Sequence, residues 1–173
     1  RVPGTGAASD PKLKPWIAVM MAMNLDLLDG DFTEAEGIDM YFMNQADGKK
    51  GIVELESAEE QLRVFDVKLK DYQNEFVKFS LNENQSLDDD FDKLVEYWKA
   101  GNVKGLEKMI FDDYAFSDFK PLKEALYTDR NKLMADKIYR FFQTDKTYFV
   151  VVGAAHLIGE EGIVNLLESK LKK

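Results

Sequence analysis

The chain has 173 residues, of which 45% are hydrophobic, and this is enough to bury one respectable core, so the sequence predicts a single domain. Its 32 acidic and 23 basic side chains give a formal net charge of -9, which opposes nonspecific binding to nucleic acid or anionic lipid. The absence of cysteine excludes disulfides, thiolate metal ligands and cysteine nucleophiles, and it leaves the cellular compartment open. The apolar stretches are far shorter than the roughly 20 residues that a membrane span needs, so none is predicted.

The predicted elements are mainly helical. Residues 1–13 are small, polar and glycine-rich and are predicted to form a flexible leader, which leaves a domain over residues 14–173. Apolar side chains at intervals of three and four predict the helices that follow. The first two cover residues 15–28 and 38–45. A third begins after Ser57 and runs through Leu69, and its pattern resumes from Tyr72 to Leu81. The others are predicted from Leu87 to Trp98, with Gly101 as the C-terminal stop, from Val103 to Ile110, and from Pro121 to Phe142.

Two short apolar runs, Gly51–Leu55 and Tyr148–Val152, are predicted to be β-strands. The first leads into a helix, because Ser57 and Glu60 have the spacing of a capping box. We therefore expect a helix-rich α/β fold in which many helices flank a small, mostly parallel sheet. Two strands leave unpaired backbone groups on both sides, so the sheet would be incomplete unless upstream strands or a second copy in a homodimer complete it.

Polar side chains follow both predicted strands. Glu56 ends the first strand, and His156, the only histidine in the chain, follows the second after Gly153. If the strands are parallel neighbours, the carboxylate and the imidazole face one cleft. There they can be metal ligands, or a base and its orienting partner. Two structural interpretations stay open: a buried, satisfied histidine, and a glutamate that compensates the helix N-terminus.

A second group lies on the long helix, in the segment YTDRNKL. Arg130 lies at the edge of the apolar face, where its guanidinium can clamp a carboxylate or a phosphate, and Asn131 can supply an amide to the same cleft. The alternative for Arg130 is an ordinary surface pair with Asp129 or Glu124. Asp39 in EGIDMYF is ambiguous in the same way.

Four segments in this order and at these separations resemble the TraB/GumN family, which includes the TIKI-type metalloproteases. They are KPW, EGIDMYFMNQADGKKGIVELESAEEQL, DRNKLMADKI and FVVVGAAHLIGEEGIVNLLE. The resemblance runs from about Lys14 to Leu171 and corresponds to the C-terminal two thirds of the family. It implies a fold related to the erythromycin esterase and ChaN-like proteins, and a hydrolase that depends on a divalent metal, with Mn, Co or Zn as candidates, and acts on a peptide or small-molecule substrate.

Site residues follow from the same resemblance. Gly153-Ala154-Ala155-His156 matches the second of the family's two glycine-x-x-histidine elements. The implied roles are metal binding and catalysis for His156 and Glu56, and stabilisation of a substrate carboxylate or an oxyanion for Arg130. The implied substrate-binding residues are Asn131, Asp39 and Gln61.

The resemblance also predicts what should precede the segment KPW. The family's first glycine-x-x-histidine element and another glutamate-bearing strand belong upstream, where this sequence has only its leader, so we expect the domain to lack its N-terminal part. A noncatalytic peptide-binding or signal-sequestering module, in keeping with family members that handle peptide signals, is the alternative function. A bacterial extracytoplasmic or membrane-anchored location is expected if a targeting signal precedes Arg1.

Overall fold

The computed structural model describes residues 13–28, 37–83, 87–113 and 119–172. The predicted leader lies outside these residues except for Leu13. The described chain is mainly helical. The α-helices are α1 (Pro15–Leu28), α2 (Ile38–Ala46), α3 (Ala58–Arg63), α4 (Gln73–Glu83), α5 (Leu87–Ala100), α6 (Val103–Glu107), α7 (Lys120–Lys123), α8 (Asp129–Phe141) and α9 (Ile163–Leu171).

Within the described ranges, three of these helices continue into π-helical turns, and two short 3-10 turns are present. The π-helical turns are Val64–Lys68 after α3, Lys108–Asp113 after α6 and Glu124–Thr128 after α7, and the 3-10 turns are Lys70–Tyr72 and Ala154–His156. Several predicted boundaries are confirmed. Ser57 and Glu60 form the predicted capping box at the start of α3, and Gly101, which follows the end of α5, has the positive φ of 63° that favours glycine.

The predicted sheet is wrong. The segments Gly51–Leu55 and Tyr148–Val152 are not strands, and the described part of the chain contains neither a strand nor a sheet. Both segments nevertheless bury an apolar side chain, Leu55 and Val152, against the helices. An apolar run indicates that side chains are covered and does not identify the element that covers them. Here helices cover Leu55 and Val152, while Ile52, Val53 and Phe149 are 55%, 60% and 73% exposed.

The chain forms two compact units. One comprises Arg1–Val53 and Asp71–Leu81, and in it the backbone N–H of Trp16 at the start of α1 donates to the Gln73 Oε1 atom of α4, at 3.3 Å. The buried side chains of this unit include Trp16, Val19 and Phe76. No described helix is both long enough and apolar enough to cross a membrane.

The other unit comprises Glu54–Lys70 and Asn82–Lys173 and is organised around α8. One apolar cluster of this unit consists of Met134, Ala135, Ile138 and Ile163, and the partly buried side chains packed against this cluster are Leu55, Phe141, Val152, Leu166 and Leu167. The predicted helix over residues 121–142 is present as α7, a π-helical turn and α8 in succession. The Asp129 N–H bonds to the Glu124 carbonyl five residues back, so the turn holds one residue more than an α-helix would.

Candidate functional site

Glu56 is held in place from both sides along the chain. Before it, the Lys137 Nζ atom of α8 donates to the carbonyl oxygen of Leu55 at 2.7 Å. After it, the Ser57 N–H donates to the Glu60 carboxylate at 2.7 Å, and the Glu60 N–H donates to the Ser57 hydroxyl at 3.1 Å. The glutamate therefore lies in a bend whose backbone is fixed by one helix and by the cap of the next.

The Glu56 carboxylate forms a bidentate salt bridge with Arg130. Arg130 Nε donates to Oε1 at 2.9 Å and to Oε2 at 3.1 Å, and Nη2 donates to Oε2 at 2.7 Å. Nη1 donates to the Leu126 carbonyl oxygen at 3.0 Å, so all three guanidinium nitrogens are engaged. The side chains are 20% and 10% exposed for Arg130 and Glu56, respectively. The ion pair of Arg130 is therefore with Glu56 and not with Asp129 or Glu124, and Asp129 pairs with Lys68.

The imidazole of His156 forms a hydrogen bond with Asn131, the residue that follows Arg130 on α8. His156 Nδ1 lies 2.6 Å from Asn131 Oδ1. Asn131 Nδ2 donates to the main-chain oxygen of Glu161 at 2.8 Å, and only 2% of Asn131 is exposed. Helix α8 thus orients the carboxylate through Arg130 and the imidazole through Asn131, two consecutive residues.

This hydrogen-bond chain fixes the tautomer of His156. A carbonyl oxygen can only accept, so the Glu161 oxygen requires the NH₂ end of the Asn131 amide. The amide oxygen must then face Nδ1, which therefore carries the imidazole proton. Nε2 is left with its lone pair, and among the described residues no hydrogen bond reaches it. The ring is a neutral acceptor at Nε2.

The surroundings of the ring favour its neutral form. Burial lowers the pKa of His156 from 6.5 to about 4; the charge of Arg130 acts in the same direction, and that of Glu56 opposes it. The ring of Tyr127 lies 5.4 Å from the imidazole between centroids and contacts Phe111 edge to face. Burial also raises the pKa of the Tyr127 phenol above 10.0, against the effect of Arg130.

A tight loop connects His156 to α9. Glu161 anchors this loop through two hydrogen bonds. Its carboxylate Oε2 atom accepts one from the Thr128 hydroxyl at 2.6 Å, and its main-chain oxygen accepts the other from Asn131. Gly162 follows, and its N–H donates to the Gly159 carbonyl oxygen at 3.0 Å. Helix α9 begins directly after Gly162, at Ile163.

Gly162 has no room for a side chain. An added Cβ atom would lie 2.5 Å from the Ile158 carbonyl oxygen and 2.7 Å from that of Leu157. We expect Gly162→Ala to lower the free energy of unfolding by about 1–3 kcal/mol, because backbone atoms must shift to admit the methyl group. Urea titration measures the change. The matched control is Gly51→Ala, where nothing lies within 4 Å of the added atom, and equal losses in the two variants would contradict the prediction.

The structure brings together four of the six predicted site residues. Glu56, Arg130, Asn131 and His156 are linked by the contacts described above. Gln61 is exposed on α3 of the same unit and takes no part in these contacts, and Asp39 is exposed on α2, in the other unit.

Three residues that support this group were not predicted from the sequence. They are Thr128, Lys137 and Glu161. Glu161 had a local signal, because it lies between two glycines in GEEG, directly after the histidine element. Lys137 and Thr128 had none, since a lysine or a threonine on a helix is ordinary.

The donor atoms fit part of a metal site. Histidine ligands usually donate their second ring N–H to an oxygen acceptor, as Nδ1 does here, and Nε2 is the free ligand atom. The Glu56 carboxylate is a second ligand of the right type. Within the described ranges no group of three or more histidine, aspartate or glutamate side chains is arranged to hold a metal ion, so these residues supply two ligands at most.

Comparisons with known proteins give one match. The model of the TraB/PrgY/gumN family matches residues 3–170, nearly the whole chain, which confirms the resemblance seen in the four segments. No curated protein and no solved structure matches the chain. The match includes Glu56, Arg130, Asn131 and His156, and the chain belongs to the TraB/PrgY/gumN family.

Proposed function

We propose that this domain is a divalent-metal-dependent peptide hydrolase, in which His156 Nε2 and the Glu56 carboxylate contribute ligands for Mn²⁺, Co²⁺ or Zn²⁺. The observation that carries the proposal is the orientation of the imidazole: a buried amide holds the proton on Nδ1 and leaves a neutral Nε2 with a free lone pair. The Asn131 amide is itself only 2% exposed, so a buried hydrogen bond fixes the orientation of the imidazole.

The electrostatic surroundings of the His156 ring also favour metal binding. An imidazole must be neutral to bind a metal or to accept a proton, and a pKa of about 4 keeps it neutral throughout the physiological range. Glu56 can approach a cation while Arg130 holds its position, because each carboxylate oxygen has more than one lone pair. A bound divalent ion would lower the pKa of a water molecule and polarise the peptide carbonyl.

Each side chain then has a definite role. His156 Nε2 and Glu56 bind the ion, Arg130 orients Glu56, and Asn131 orients His156. The resemblance implies that Arg130 stabilises a substrate carboxylate or an oxyanion, but every hydrogen bond that it makes among the described residues goes to Glu56 or Leu126. We therefore assign Arg130 to positioning. The other coordination positions would be open to water and to the substrate.

Metal binding can be read from the imidazole directly, because the chain has a single histidine. We expect Zn²⁺ to shift the ¹⁵N resonance of Nε2 in the labelled protein while Nδ1 stays protonated. Glu56→Gln should weaken binding at least tenfold in calorimetry, a loss in the range seen for altered metal sites. Glu124→Gln, at an exposed carboxylate, is the matched control and should leave the affinity unchanged.

Peptide cleavage completes the test. Hydrolysis of a mixed peptide substrate with Mn²⁺, Co²⁺ or Zn²⁺ should be lost in His156→Ala and retained in Glu124→Gln. The proposal fails if none of the three ions perturbs Nε2 and if His156→Ala cleaves as well as the parent protein. Peptides that bind and remain intact would instead identify the noncatalytic binding module.

A further inference from the structure

Thr128 makes an unusual hydrogen bond for a hydroxyl residue in a helix. Such hydroxyls commonly bond to a carbonyl of their own helix, as two described serines do: Ser80 donates to Phe76 O and Ser169 to Asn165 O, both at 2.9 Å. The Thr128 hydroxyl instead donates to the Glu161 carboxylate at 2.6 Å. It reaches a loop residue 33 positions away, although Thr128 is only 5% exposed.

The residue that Thr128 contacts is also the one that orients Asn131. Glu161 accepts from Thr128 through its side chain and from Asn131 through its main-chain oxygen, so the helix holds it at both points. Thr128 and Asn131 are three positions apart and lie side by side on the helix surface. Fixing the Glu161 side chain therefore also fixes the carbonyl against which the Asn131 amide is aligned.

We propose that Thr128 is a positioning residue that sets the tautomer of His156 through Glu161 and Asn131. The Thr128 hydroxyl donates a hydrogen bond to Glu161, and the Glu161 carbonyl oxygen accepts one from the NH₂ group of the Asn131 amide. The oxygen of that rigid, planar amide then accepts a hydrogen bond from the protonated Nδ1. The inference deepens the proposed function, on which its relevance to hydrolysis rests. The tautomer itself is a property of the metal-free protein.

The test is the ¹⁵N spectrum of the single imidazole at pH 7 without metal. The parent protein should show the Nδ1–H form. Thr128→Val keeps the shape and removes the hydroxyl, and it should raise the Nε2–H form several-fold; Thr128→Ser keeps the hydroxyl and should restore the parent spectrum. Asn131→Ala marks the full loss of orientation.

A purely structural threonine would change stability and leave the tautomer unchanged. Lys132→Met is the matched control, because it removes the weaker contact of Glu161, with Nζ 3.9 Å from Oε1, and should leave the spectrum unaltered. Glu161→Ala alters a side chain that is 49% exposed and keeps the main-chain carbonyl, so it provides a second variant if Thr128→Val does not fold.

The outcomes separate this inference from the proposed function. A parent-like tautomer ratio in folded Thr128→Val, or in Glu161→Ala, overturns the role of Thr128 even if Zn²⁺ binds to Nε2. A shifted ratio in these variants supports it even if no metal binds, because the spectra are recorded without metal.

Discussion

Replacement of Arg130 by methionine is expected to lower the free energy of unfolding by about 3 kcal/mol, the order seen when one partner of a buried ion pair is removed. The reason is the environment of Glu56, whose side chain is only 10% exposed and whose carboxylate receives three contacts from the Arg130 guanidinium. Without Arg130 the carboxylate is left charged and poorly solvated. Urea unfolding followed by circular dichroism measures the loss.

Two further variants make this prediction specific. Lys68→Met removes an ion pair to Asp129 whose side chains are 41% and 46% exposed, so its cost should stay below about 1 kcal/mol. The double variant Glu56→Gln/Arg130→Met should recover at least half of the lost stability, because the amide is neutral and costs less to bury than a lone carboxylate. Equal losses for Lys68→Met and Arg130→Met would show that burial of the Glu56 pair does not matter.

Acidification is expected to destabilise the protein through His156. The pKa of the ring is 6.5 when unperturbed and about 4 in the folded protein, with burial as the largest cause. Between these two values the unfolded chain binds a proton that the folded chain excludes, so stability falls as the pH decreases from about 6.5 to about 4. The full shift corresponds to about 3 kcal/mol. Because the ring is half-buried, screening by solvent reduces the expected loss to on the order of 1–2 kcal/mol.

Because carboxylates also titrate in this pH range, the contribution of His156 is measured as a difference between two proteins. The unfolding free energy of the parent protein minus that of His156→Gln is recorded from pH 8 to pH 4. The difference should be flat above about pH 7 and should decrease below pH 6.5, since only the parent has the imidazole. A difference that stays constant down to pH 4 would mean that the pKa of His156 is not depressed.

The charged residues beside the ring are expected to change the pKa of His156 in opposite directions. Arg130→Met removes a cation that lowers the pKa of His156 and leaves the Glu56 anion that raises it, so the pKa should increase in this variant. Glu56→Gln should have the opposite effect. Nuclear magnetic resonance follows both shifts without assignment ambiguity, because no other histidine is present.

The helices could be predicted from sequence because their signals are local. The capping box at Ser57 and the positive-φ glycine at Gly101 each depend on a few neighbouring residues, and both are found in the structure. The sheet could not be predicted in this way. The apolar residues of Gly51–Leu55 and Tyr148–Val152 indicate burial, but Leu55 and Val152 are covered by the helical cluster around Met134. Strand pairing depends on which segments meet, and no local pattern specifies that.

The candidate site was predictable in its reactive groups and not in their supports. Glu56 and His156 were singled out because each is a chemically capable side chain after an apolar run. Their orientation depends on contacts between residues far apart in sequence: Arg130 is 74 residues from Glu56, and Lys137 is 82 from Leu55. Such pairings follow from how α8 packs, which the spacing of apolar residues along the chain does not encode.

The π-helical turn Glu124–Thr128 determines which way α8 faces. Successive residues of an α-helix are rotated by about 100° around its axis, so deleting one residue from this turn would swing every later side chain by that angle relative to α7. Arg130, Asn131 and Lys137 would then all leave their present partners together. The length of this turn is consequently under a stricter constraint than the identity of its exposed residues, and insertions or deletions there would be far more damaging than substitutions.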